Sequence, residues 1–251
     1  MNSLAFSSTE LIISIFLFLG AILYTSVGHA GSSIYIAIMA LFSLPASVIR
    51  PTALVLNIFV STFTSWRFIR AKLFDLKLFI PLAIGAIPMS FIGGGIDLSN
   101  VVYKQVVGSL LLVAGANYLL NRKPREFTSI KPPKFFVALI VGAIIGLLAG
   151  LTGTGGGIFL SPIALLLNWS AVKHISGTTS LFILTNSVFG LLGHATSVTE
   201  LPGSMPLFVV AVLLGAVVGT VFGIKKFSNE KVKRALGLVL VIAGLKLTLG
   251  L

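Results

Sequence analysis

Apolar runs of bilayer-crossing length follow one another through almost all of this 251-residue chain, leaving no stretch of useful size for a water-soluble core. A spanning helix needs about 20 predominantly apolar residues. Ten runs can be read between short polar or basic breaks: 10–27, 32–44, 46–68, 78–96, 101–120, 135–151, 155–168, 172–194, 205–224 and 232–249. With 56% hydrophobic residues, 10% charged residues and a mean hydropathy of +1.08, the chain is too apolar to clothe a soluble surface. Helix is expected throughout, because barrel strands need only about 9–11 residues and alternate apolar with polar, which these runs do not. The first run reads as a mature membrane helix rather than a signal peptide, since its only early charge is Glu10 and no basic residue precedes it.

Two runs, 32–44 and 155–168, are too short for a full crossing, and each follows an interruption rich in glycine: "VGHAGSSIY" (Val27–Tyr35) and "LTGTGGGIFL" (Leu151–Leu160). Setting Gly28 on Gly153 sets Gly31 on Gly156. With small shifts, Pro51-Thr52-Ala53-Leu54 then falls near Gly177-Thr178-Thr179-Ser180, and Asn57 near Asn186. Each half therefore holds five segments in one order, and an odd number makes the second half enter the membrane from the opposite side. The expected fold is an all-α integral membrane protein, a polytopic helical bundle of two inverted repeats with about 8–10 membrane segments and two Gly-rich broken helices. It forms a single membrane domain over 1–251, with repeat one at about 10–121, a cytoplasmic linker at about 122–134 and repeat two at about 135–250. Whether the short segments are re-entrant or cross fully is open at this stage.

The charges agree with this scheme. The net charge is +12, and 14 of the 18 Lys and Arg residues fall in three loops, at 67–77, 122–134 and 225–234. Cytoplasmic loops collect Lys and Arg. Placing all three loops inside requires even helix counts between them, which the ten segments supply, and puts both termini outside. The loop at 195–204 that corresponds to 67–77 has no basic residue. Dispersed charge of this kind marks topology rather than a nucleic-acid surface. Cysteine is absent, so disulfides and thiolate chemistry are excluded.

Irregular backbone at membrane depth must be buried in protein or line a wet cavity, because each unpaired amide costs several kcal/mol in hydrocarbon. A half-helix that starts inside the membrane directs free N–H groups and the positive end of its dipole into the gap, which suits an anion. Glycines at every fourth position, Gly142 to Gly150 and Gly215 to Gly223, read instead as close helix packing. The candidate substrate-binding residues cluster at the two breaks: His29, Gly31, Ser32, Ser33, Tyr35, Thr52 and Asn57 in the first half, and Thr152, Thr154, Gly155, Gly156, Gly157, Thr178, Thr179, Ser180 and Asn186 in the second. His29 stands where the other half carries Thr154 and is the candidate for proton coupling. His174 and His194 fall near helix ends and read as interfacial. All six acidic residues lie in loops or at helix edges, which argues for an anionic or neutral substrate. No P-loop Lys, HExxH motif or buried acid pair occurs, so no catalytic residue, metal site or cofactor is expected.

At these residues the chain resembles the TauE/SafE family of sulfite and organosulfonate exporters, also called the toluene sulfonate uptake permease family. The stretches that carry the resemblance run from "GLLAGLTGTGGGIFLSPIALLLNW" to "GTTSLFILTNSVFGLLGH" in the second half, with "GHAGSSIYIAIMALFSLPASVIRPTALVLNI" in the first. The resemblance implies a cell-membrane carrier for small sulfur-containing anions, with the lipid bilayer, a small anionic substrate and a coupling proton or other ion as partners, and no nucleic acid. The first half departs from the family's glycine triplet with His29-Ala30-Gly31-Ser32. A non-transporting membrane scaffold or assembly subunit, or a passive anion channel, stays open beside a secondary transporter, and the sequence is silent on oligomeric state.

Overall fold

A computed structural model describes residues 6–26, 31–120, 130–194, 201–225 and 230–250. Within them the regular elements are ten α-helices: α1 (Ser8–Ser26), α2 (Ser32–Leu41), α3 (Ala46–Arg70), α4 (Leu76–Gly95), α5 (Asn100–Leu120), α6 (Phe135–Thr152), α7 (Gly157–Leu166), α8 (Val172–Gly193), α9 (Met205–Lys225) and α10 (Glu230–Leu249). These match the ten apolar runs closely. The two short runs become the two 10-residue helices, α2 and α7. Five helices, α1, α3, α4, α6 and α8, are long and apolar enough to cross a membrane. Much of their outer surface is hydrocarbon, as Ile12, Ile15 and Leu19 on α1 and Ile140 and Ile144 on α6 show, and an apolar exterior of this extent needs lipid rather than water around it.

The short helices are return limbs. Along α1 and α2, Tyr24 bonds Ser33, Gly20 faces Ile34 and Ile38, and Phe16 stacks near Phe42, so the two helices form an antiparallel hairpin. In the second half, the amide of Lys131, just before α6, bonds the carbonyl of Asn168, just after α7, at 2.8 Å. That hairpin therefore closes on the end where it began. The central helices α3 and α8 are antiparallel: Leu54 approaches Gly190, and Phe68 approaches Gly177. Each hairpin leads by a few residues into one of them, so the hairpins enter the bundle from opposite ends.

Glycine sets the helix spacing around this centre. A Cβ on Gly142, Gly146 or Gly150 of α6 would run into the carbonyls of Leu82, Ala86 or Ser90 on α4, and one on Gly215 or Gly219 of α9 would run into those of Phe18 or Ile22 on α1. Without these side chains the backbones meet directly, the mode of packing that van der Waals contact favours in lipid. The loop between α3 and α4 is tied to the start of α8. Asp75 N-caps α4 by accepting from the Leu78 amide at 3.1 Å, and its second oxygen accepts from the Ser170 hydroxyl at 2.6 Å. At the same end, Arg67 and Arg70 lie over the rings of Phe63 and Trp66, an aromatic and basic collar suited to a headgroup layer.

Candidate functional site

The polypeptide between α6 and α7 unwinds in the interior of the bundle. Gly153, Gly155 and Gly156 all take left-handed backbone, with φ of 78°, 68° and 84°, a region open to glycine and strained for other residues. Gly156 is the N-cap of α7 with φ, ψ of 84°, −10°, and Gly31 is the N-cap of α2 with 93°, 0°. The two glycines that align in sequence thus occupy one conformation at the head of equivalent helices. At Gly31 a side chain is excluded by space as well, because its Cβ would overlap the Tyr35 hydroxyl.

Unwinding strips carbonyls of their helical donors, and side chains from three other helices replace them. Arg50 of α3 donates to the Gly150 carbonyl from Nε at 3.1 Å and Nη2 at 2.9 Å, and also to Gly93, Gly94 and Ile96 at the end of α4. The Tyr103 hydroxyl on α5 donates to the Thr152 carbonyl at 3.1 Å. Asn57 Nδ2 on α3 donates to Gly153 at 3.2 Å, and Asn186 Nδ2 on α8 reaches Gly155 at 3.5 Å. Exposed acceptors are therefore neutralised along the break. In the first turn of α7 the amides of Phe159 and Leu160 donate to the Gly156 carbonyl at 3.1 Å, which leaves those of Gly157 and Ile158 without an acceptor in their own helix, at the positive end of its dipole. The backbone carbonyls of the break are thus taken up, and the amides at the head of α7 remain to meet an anion.

The candidate residues divide. Thr152, Thr154, Gly155, Gly156, Gly157, Asn57 and Asn186 come together at the break, where the Thr152 and Thr154 hydroxyls lie 2.9 Å apart. Thr179 joins them through a 3.0 Å bond to Ser161, beside Gly157. Thr52 is buried with its hydroxyl unpaired. Thr178 is not at the break: its oxygen accepts from the Asp75 amide at 3.1 Å and secures the α3–α4 loop. Ser180 donates to the Ser176 carbonyl one turn back, the ordinary behaviour of serine in a membrane helix. In the first half, Ser33 bonds Tyr24 at 2.8 Å and Tyr35 is buried against Gly31. His29 lies outside the described residues, as does the side chain of Ser32.

Sequence reasoning passed over Arg50, Tyr103 and Ser187. For Arg50 the signal was present: a lone arginine inside an apolar run, away from the three basic loops. With Tyr103 it lines a cleft of about 380 Å³ that Ser47, Asp97, Asn100 and His194 also line. His194 is at a helix end as expected, yet buried. Ser187 gives no signal in sequence, since only the fold turns it toward Gly155.

A polytopic helical bundle with broken helices meeting in its interior is the build of a membrane transporter. The family described as sulfite exporter TauE/SafE matches residues 12–247, and the chain belongs to that family. Named relatives are described as probable membrane transporter proteins. One, from Sinorhizobium fredii, is 37% identical over 238 residues, covering 94% of this chain and 96% of its own. Another, from Bacillus subtilis, is 26% identical over 255 residues, covering 92% and 96%. A third, from Methanocaldococcus jannaschii, is 26% identical over 147 residues, covering 57% and 54%. No solved structure matches.

Proposed function

We propose that this protein is a secondary transporter of the cell membrane that exports a small sulfur-containing anion, such as sulfite or an organosulfonate. The halves 10–121 and 135–250 act as inverted repeats, with the basic loops cytoplasmic and both termini outside. The anion binds at the α6–α7 break and is exposed to each side in turn as the halves rock. One observation carries the reading: side chains occupy the carbonyls of Gly150, Thr152, Gly153 and Gly155, while the amides of Gly157 and Ile158 at the head of α7 have no acceptor within their own helix. The oxyanion of a sulfite or sulfonate accepts several N–H and O–H bonds at once, and neutral donors hold it without the fixed charge that would slow release. The family description supports the sulfur-containing substrate and the direction of transport.

The test is thermal unfolding of the purified protein with sulfite, sulfoacetate, sulfate and acetate, paired with counterflow in liposomes containing this chain alone. Sulfite or a sulfonate should raise the unfolding temperature and exchange across the membrane. Thr154→Val should weaken both effects. Transport unchanged in this variant would remove the break from the mechanism.

A further inference from the structure

The two asparagines at the break face it the wrong way round for an anion. A backbone carbonyl only accepts hydrogen bonds, so Asn57 and Asn186 must each turn their nitrogen toward Gly153 or Gly155. Each amide oxygen is then turned aside. Both oxygens are buried, and among the described residues neither accepts a hydrogen bond. The Ser187 hydroxyl is likewise buried and unpaired. The three side chains converge on two successive glycines. A Cβ on Gly155 would stand 2.9 Å from Ser187 Oγ and 3.3 Å from Asn57 Nδ2, and one on Gly156 would stand 3.3 Å from Asn186 Nδ2. Buried polar atoms without partners are rare, because each forfeits its hydration. Here three neutral oxygens from α3 and α8 are left without partners around the unwound backbone.

We propose that Asn57 Oδ1, Asn186 Oδ1 and Ser187 Oγ form a site for a monovalent cation of the sodium class, which binds beside the transported anion and couples its movement. Neutral amide and hydroxyl oxygens suit a hard monovalent ion. A divalent ion of the calcium type relies on carboxylates, and the described acidic residues, Glu10, Asp75, Asp97 and Glu230, all lie at helix ends or in loops. The ion would join α3 to α8, one helix from each half of the chain, so its binding and release would act on the interface that has to move. Anion at the donors of α7 and cation at the asparagine oxygens neutralise each other, so each tightens the hold on the other.

This site rests on the anion reading of the same break, and the experiment separates the two. Thermal unfolding of the purified full chain is followed in NaCl, LiCl, KCl and choline chloride at equal ionic strength, each with and without sulfite. Na⁺ should raise the unfolding temperature saturably, and the apparent affinity for sulfite should be at least about five-fold tighter in Na⁺ than in choline. Ser187→Ala removes an oxygen that caps nothing. It should leave the unfolding temperature in choline unchanged while weakening the Na⁺ response at least about ten-fold, and Asn186→Ala should abolish that response. Indifference of the wild type to Na⁺ and Li⁺, the result expected if an ordered water fills the place, overturns the cation site. So does a Na⁺ response that survives in both variants. If sulfite stabilises the protein in choline while Na⁺ does nothing, only the cation site falls. If sulfite fails to stabilise in every salt, the anion reading falls with it.

Discussion

Gly31 and Gly156 show how much a single residue decides in this bundle. Each stands at the head of a half-helix with φ near +90°, and an alanine there meets about 1–2 kcal/mol of backbone strain. Space adds a second penalty at both, and the larger one at Gly31: a Cβ on Gly156 would stand 2.8 Å from Ile145 Cγ2 and 3.0 Å from the Phe182 ring, whereas one on Gly31 would overlap the Tyr35 hydroxyl. Gly31→Ala should therefore lower the unfolding temperature by more than Gly156→Ala. Tyr35→Phe should restore part of that loss by opening the space, and scanning fluorimetry of the two single variants and the double variant measures it. Arg50 is the opposite case, a charged side chain that the interior depends on. Its guanidinium serves the carbonyls of Gly93, Gly94, Ile96 and Gly150, and leaving such groups buried and unpaired costs about 1–3 kcal/mol each. Arg50→Gln should give little folded protein by size-exclusion chromatography. Arg50→Lys, which keeps the charge but loses the planar fork, should fold with a lowered unfolding temperature. Both glycines could be read in the sequence because left-handed backbone selects glycine locally. The role of Arg50 could not, because its acceptors are 43 to 100 residues away.

At the scale of the helix, the α4–α6 pair is set by glycine on both partners. Gly85 and Gly93 of α4 face the carbonyls of Leu139 and Leu147, while Gly142, Gly146 and Gly150 of α6 face those of Leu82, Ala86 and Ser90. A side chain at the middle of this seam cannot be absorbed, because backbone rather than a flexible side chain opposes it. Gly146→Ile should thus cause loss of monodisperse protein, whereas Ile144→Ala on the exposed face should leave yield and unfolding temperature within about 1–2 °C of wild type, since surface changes cost at most about 0.5 kcal/mol. Four-residue spacing made this stripe legible in the sequence; which helix it meets was not. Thr178 carries the complementary lesson. It lies next to Thr179 in a motif that reads as one unit, yet on a helix adjacent residues point to different neighbours. One hydroxyl holds the α3–α4 loop and the other faces α7.

For the whole molecule, the decisive feature is that two broken hairpins enter from opposite ends and meet at the antiparallel pair α3 and α8. The inverted arrangement proposed above puts the α3–α4 loop inside and the α4–α5 and α8–α9 loops outside. The chain contains no cysteine, so single substitutions report directly. Lys72→Cys should react with an impermeant maleimide only from the cytoplasmic face. Ser99→Cys and Gly203→Cys, the latter at a position with nothing within 4 Å of its Cβ, should react only from the opposite face. Labelling of Lys72→Cys and Gly203→Cys from one side would exclude the inversion.

By itself the sequence determined the class of molecule, the ten segments and their ends, and the glycines at the two breaks. Each of these follows from hydrophobic run length or local backbone conformation, quantities a few consecutive residues settle. Tertiary structure alone decided that the short helices return to the end they came from, that Arg50, Tyr103, Asn57 and Asn186 cap the unwound carbonyls, and that three oxygens are left over beside them. Those outcomes depend on which donors and acceptors from distant helices come within hydrogen-bonding reach, and in hydrocarbon every backbone group exposed by the break must find its partner there.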